Sequence, residues 1–309
     1  MKTEKTVQNG VINVYKERGY TSHDVVARLR GILKLKKIGH TGTLDPEAEG
    51  VLPVCLGNGT RLCGMLTDKE KEYQAELLLG VTTNTQDMTG RILARRDVCV
   101  TREETEKAVM GFLGTYEQLP PMYSACRVEG KRLYELAREG KEVERKRRPV
   151  TIHELEICSI ELPRVRMRVV CSKGTYIRTL CHDIGERLGC GGTMASLLRT
   201  RVDRFTLKEA KRLDEIEAAA AAGEAGTLIL PVEEMFSALP VITVKEAYTS
   251  AVRNGNPLFL RQITGKSGWM DGEQVRIHDS QGRFYGIYGF EVMKGRFVPV
   301  KMFLPSESC

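Results

Sequence analysis

The sequence predicts an α+β protein that ends in a small β-barrel, and three observations carry that expectation. Strand-type runs fall at residues 10–15, 71–80 and 164–169. Between them, apolar residues recur at helical period at 22–33, 101–113 and 177–188. From about Leu239 the texture changes to short strands and glycine turns, as at 274–277, 284–290 and 296–300. A chain of 309 residues has room for a large domain and a small one, and the division is placed at 1–237 and 238–309.

In chain order, the first strand gives way to a turn at Lys16-Glu17-Arg18-Gly19. Thr21-Ser22-His23-Asp24 then has capping-box spacing, with Asp in place of the usual Glu. Val25, Leu29 and Leu33 continue at helical period to a basic run at 34–37, and His23 is expected to be exposed at the helix start. Residues 37–53 follow, with Gly39, Gly42, Gly50, Pro46 and Pro53 closely spaced. Those glycines and prolines argue against a regular helix or a central strand there. Pro46 also pushes Asp45 towards an extended conformation. The result is a stiff loop that presents the Asp45 carboxylate beside the His40 imidazole. Taken by itself, the run fits a reactive loop and a tight structural turn, with Asp45 as a cap, equally well.

Strand 71–80 places Tyr73, Ala75, Leu77 and Leu79 on one face, where burial tendency alone makes Tyr73 a core aromatic. Thr101 and Glu104 have capping-box spacing ahead of the next helix. Residues 127–148 hold nine Lys or Arg against five Glu, with Leu133, Leu136 and Ala137 as a narrow apolar stripe. Such a run is either a solvated face or a basic flap that clamps phosphates. At 164–169, Val165, Met167 and Val169 alternate with three arginines, giving a strand with one basic face. A glycine turn then leads into a helix striped by Ile177, Leu180, Ile184 and Leu188, with Gly189 at the C-cap site. Strand, turn and helix in that order expose Tyr176 and Arg178 at a sheet end. An Ala-rich stretch at 217–226 marks a helix end or linker, and Trp269 is expected in the core of the barrel.

His40, Gly42, Leu44, Asp45, Pro46, Ala48 and Gly50 match the signature H-x-G-x-L-D-P-x-A-x-G of the TruB family of tRNA pseudouridine synthases. Further blocks resemble the family at 55–62, in the K-x-Y triplet ending at Tyr73, and at 83–90, 118–125 and 171–178. The chain departs from it at Glu17, where the family has Pro, and at Asn84, where it has Asp. The resemblance covers about residues 10–205. It implies a mixed, largely antiparallel sheet flanked by helices, with a basic flap at 127–149 and a C-terminal PUA-like barrel. The implied reaction isomerises uridine 55 in the T-loop of tRNA. Asp45 is then the nucleophile, Arg178 its charge partner, and Tyr73 the stacking residue that could also move a proton. His40, Tyr176 and Leu197 become substrate contacts, and Lys146, Arg147 and Arg148 contacts to the RNA backbone. A same-fold synthase for another RNA, or an RNA-folding aid, remains the alternative.

The bulk numbers narrow the class. Hydrophobic residues make up 41% and charged residues 28%, as in ordinary globular proteins. A net charge of +7 favours a polyanionic partner. Nine cysteines without a C-x-x-C pair, and five scattered histidines, point to reduced thiols and no metal. The first ten residues lack the apolar core of a signal peptide, and no stretch has the length of a membrane span. The expectation is a cytoplasmic monomer with no cofactor, whose partner is the T-arm stem-loop of tRNA.

Overall fold

The computed structural model describes residues 9–304 apart from 129, 142, 266 and 267. The polar start at 1–8 and residues 305–309 of the 238–309 segment expected as a separate domain lie outside that range. Two sheets dominate. The larger runs in the order Ile229–Pro231, Gly10–Lys16, Glu49–Leu56, Gly192–Val202, Lys71–Leu79, Arg164–Cys171, Arg148–Glu161 and Gly114–Gln118. Its neighbours are antiparallel except where Leu198 and Arg199 run parallel to Glu49 and Gly50. The second sheet joins six strands between Val241 and Met302 and curls round a core containing Trp269, Tyr288 and Phe297. This is the mixed, largely antiparallel α+β architecture that the sequence predicts.

Local signals account for most element ends. Thr21 caps the helix Ser22–Leu33, and Asp24 closes the capping box onto the Thr21 backbone. Thr101 and Glu104 do the same for Arg102–Met110. The first helix turns Val25 and Leu29 onto the sheet beside Leu213 and Ile216 of Leu213–Ala221. Leu29 is fully buried, so Leu29→Ala costs about 2–5 kcal/mol. On another part of the sheet, Leu180 and Ile184 of Ile177–Arg187 pack against Leu77, Met167 and Val169. Gly189 ends that helix with φ +77°.

Two expectations need correction. Glycines and prolines do not keep residues 49–53 out of the sheet, because Glu49–Leu56 is an interior strand. Pro53 is tolerated there since its missing N–H falls between two neighbours: Ile38–His40 pairs with 54–56, and Leu198–Arg199 with 49–50. The strand Arg164–Cys171 does not present a free basic face. Arg164 and Arg166 pair with Glu76, and Arg168 bridges Glu72 and Glu154. The basic segment at about 127–149 is tied down at its end. Arg148 and Pro149 pair with Gln118 and Glu117 in the large sheet, and Leu133 and Leu136 are buried. The small helix Leu133–Arg138 is tied to the stretch before it, where Leu133 N–H and Tyr134 N–H donate to the Cys126 and Ser124 carbonyls at 2.8 and 3.1 Å.

Candidate active site

The run 37–53 folds as a loop joining two antiparallel neighbours, Ile38–His40 and Glu49–Leu56, and its position is fixed from behind. Thr41 donates its N–H and its hydroxyl to the Pro53 carbonyl at 3.2 and 3.1 Å. Leu44 N donates to the Ser22 hydroxyl at 3.0 Å. Lys16 is fully buried and donates from Nζ to the carbonyls of Glu17, Tyr20 and Pro46 at 3.1, 2.6 and 2.9 Å. Burial lowers its pKa to about 8. Gly50 has φ +106°, and a Cβ there would lie 2.2 Å from the Arg199 carbonyl, so only glycine fits.

This scaffold delivers Asp45 to Arg178, 133 residues further on. The guanidinium grips both carboxylate oxygens, Nε to Oδ2 at 2.9 Å and Nη2 to Oδ1 at 3.1 Å. Its remaining donors meet the carbonyls of Thr85 at 3.0 Å and Tyr123 at 2.9 Å, with Asp87 Oδ2 at 3.7 Å. Arg178 thus clamps three segments of chain, and its side chain is 5% exposed against 33% for Asp45. The carboxylate keeps an open side. Burial nonetheless pushes the Asp45 carboxyl above its ordinary pKa, against the pull of Arg178, while Asp87 adds to the rise and Lys16 opposes it.

Asp45 opens into a cavity of about 510 Å³, a size suited to a nucleotide. Tyr73, Tyr176, Arg178, Leu197 and Arg148 line it with Asp45, so most sequence-predicted site residues come together. Leu197 is 8% exposed and faces the cavity, whereas Leu198 is not part of the lining. Tyr176 is held by Gln118, which bonds its N–H and its carbonyl at 2.8 and 3.0 Å. Three residues stand apart from the lining. His40 lies beside it at a strand end, edge-on to His23 at 5.4 Å, and burial lowers its pKa. Lys146 and Arg147 are exposed, and Arg147 donates to the Glu117 carbonyl at 3.0 Å.

Sequence reasoning missed Lys71, Asp87, Gln118 and Arg199. Parity could have found two of them, since Lys71 is two residues before Tyr73 and Arg199 two after Leu197 on the same strand faces. Lys71 lines the cavity, and burial lowers its pKa to about 8. Asp87 is built into the turn 83–90, where Thr85 and Thr89 hydroxyls donate to it at 2.7 and 2.6 Å. Among the described residues, no group of three His, Cys, Asp or Glu side chains is placed to hold a metal ion. Nor, among them, is any helix long and apolar enough to cross a membrane.

A bidentate, buried guanidinium on a carboxylate that faces a nucleotide-sized cavity suits covalent or charge-stabilising chemistry on a bound group. Family models agree with it. Residues 30–177 match the TruB family pseudouridylate synthase N-terminal domain, and residues 178–237 the tRNA pseudouridylate synthase B C-terminal domain. The chain belongs to the TruB family. Among curated relatives, tRNA pseudouridine synthase B of Lachnoclostridium phytofermentans is 52% identical over 306 residues, covering 96% of this chain and all of that one. The protein of the same name from Alkaliphilus oremlandii is 49% identical, covering 87% and 89% of the two chains. Among solved structures, a Cbf5-Nop10-Gar1 complex aligns with TM-score 0.71 and 29% identity, over 98% of this chain and 87% of that one. An H/ACA RNP bound to a substrate RNA containing 2'-deoxyuridine aligns with TM-score 0.70 and 28% identity, over 97% and 87%. The TruB-family chain is thus a pseudouridylate synthase of the expected fold.

Proposed function

We propose that this TruB-family enzyme isomerises uridine 55 in the T-loop of tRNA, with Asp45 as nucleophile. The name shared by its curated relatives supports tRNA as the substrate. The observation that carries the mechanism is the two-pronged grip of Arg178 on a carboxylate that faces the cavity. Isomerisation exchanges an N-glycosidic for a C-glycosidic bond. It is redox-neutral and transfers no group from outside, so it needs no cofactor. The uracil must first leave its stack, at a cost of a few kcal/mol that aromatic stacking in a pocket offsets.

Tyr73 stacks on the everted base and moves a proton, Tyr176 and Leu197 shape the walls, and His40 fills the space the base vacates. Asp45 then holds the sugar or the ring while the uracil turns. Arg178 keeps that carboxylate charged in a site where burial alone favours the neutral acid. Lys146, Arg147 and Arg148 grip phosphates of the T-arm, and the C-terminal sheet serves as a PUA-like RNA-binding unit of a monomeric, cytoplasmic protein. Incubating the purified protein with transcribed tRNA and no added cofactor, then mapping modified uridines, tests the proposal. Pseudouridine confined to position 55 is the expected result, and unmodified tRNA or modification elsewhere overturns it.

A further inference from the structure

Several cations at the cavity have no part in the roles above, and Arg199 is the most deeply buried of them. Arg199, on Gly192–Val202, stands directly across the ladder from Tyr73 on Lys71–Leu79, and both reach the cavity. It is 1% exposed and heads the fully buried side chains by size. Its Nε donates to the Val51 carbonyl at 2.7 Å and its Nη2 to the Gly42 carbonyl at 3.3 Å. Arg178 has two carboxylates beside it, whereas among the described residues Arg199 makes no ion pair. A buried cation without a counter-ion costs several kcal/mol, and two carbonyls could be satisfied by a neutral donor.

The neighbours show what the charge is for. Arg199 disfavours the protonated forms of Lys16, Lys71 and His40. For Tyr73 it does the opposite. Burial raises the Tyr73 pKa and Asp45 adds to that rise, while the charge and hydrogen bond of Arg199 pull it down. So the one nearby ionisation that Arg199 assists is that of a hydroxyl facing the reacting base.

We propose that Arg199 is a positioning residue that holds the Tyr73 hydroxyl in place and supplies the counter-charge for its proton transfer. This rests on the reading that the everted uracil lies against Tyr73. In the isomerisation C1′–N1 breaks and C1′–C5 forms, the C5–H bond breaks, and N1 gains a proton. A hydroxyl that gives its proton to N1 and takes back the one from C5 ends as it began. In between it is a phenolate, and a guanidinium remains charged at every working pH to meet it.

The test uses the full-length protein and a T-arm stem-loop carrying hydrogen or deuterium at C5 of the target uridine. Arg199→Gln is expected to lower kcat about a hundredfold, the scale of general acid–base catalysis, with RNA affinity unchanged. Its hydrogen-to-deuterium rate ratio should exceed that of the unaltered protein, because C5–H cleavage becomes limiting. Tyr73→Phe should give the same raised ratio, and the double variant should be no slower than the slower single one. Arg199→Lys keeps the charge, and should recover part of kcat with a smaller ratio. It also carries the test should Arg199→Gln fail to fold. A slow variant without a raised ratio, an unchanged kcat, or losses that add to those of Tyr73→Phe would overturn the role of Arg199. No turnover by the unaltered protein would strike the functional reading instead.

Discussion

Arg178 and Arg168 are both arginines that bridge carboxylates between separate segments, and they do different work. Arg178 is 5% exposed and grips Asp45 at 2.9 Å, while Arg168 is 30% exposed and holds Glu72 at 3.0 Å and Glu154 at 2.8 Å. The balance between burial and nearby cations decides the contrast. Burial lifts the pKa of Asp45 in spite of its partner. At Glu72 burial also pulls upward, but the hydrogen bonds of Thr200 and Arg168 and the charges of Arg168 and Arg201 together outweigh it, and the carboxyl sits below its ordinary value. Similar ion pairs thus leave a carboxylate of raised pKa facing a cavity in one place and paired acids of the sheet face in the other.

The largest effect should come from removing the Asp45 carboxylate. Asp45→Asn is expected to cut isomerisation by ~10⁴-fold or more, with stem-loop affinity retained. Single-turnover assays beside binding titrations would show it, and surviving turnover would take the nucleophile's role from Asp45. Its stability effect has a definite sign. The raised pKa means that the folded state holds this proton more tightly than the unfolded chain. Asp45 therefore contributes stability below the ordinary carboxylate range, and loses it as pH rises through the folded value. Asp45→Asn should be no less stable than the parent at neutral pH, which thermal midpoints compared at acid and neutral pH would check.

Next in size is Arg178→Gln, which leaves Asp45 and Asp87 without their cation and should cost about 3–5 kcal/mol by denaturant unfolding. Because Arg178 pulls the Asp45 pKa down, its loss should also move the acid limb of the pH–rate profile to higher pH. An unmoved limb would mean that the limb belongs to another group.

Smaller again is neutralisation of Lys146, Arg147 and Arg148, which should weaken RNA binding and reduce its salt slope by about 0.7 for each phosphate that the chain no longer neutralises. An unchanged slope would make the run a solvated face. The smallest effect is expected at the surface pair. Arg168→Gln should change stability by no more than about 1 kcal/mol, because solvent screens the pair, and should leave turnover alone. A large loss there would erase the contrast with Arg178.

Local devices were legible because they need only near neighbours in sequence. The Thr21–Asp24 and Thr101–Glu104 boxes, and the alternation of Tyr73, Ala75, Leu77 and Leu79, are formed as expected. The interior position of Pro53 was not legible, because it depends on which strands end beside it. Nor was the neutralisation of Arg164 and Arg166, whose partner Glu76 arrives on a strand nearly ninety positions earlier. Asp87 was hidden in the same way: nothing within 83–90 says that its turn wraps the guanidinium of Arg178.

The amino-acid order by itself determined the family, the capped helices and the strand faces, and it singled out Asp45, Tyr73 and Arg178 as candidates, since each is written in a short run. Only the tertiary structure decided that Asp45 and Arg178 touch, that Asp45 keeps an open side, and that Arg199 is buried without a carboxylate. Those are matters of distance and desolvation, and both are set by how remote segments pack together.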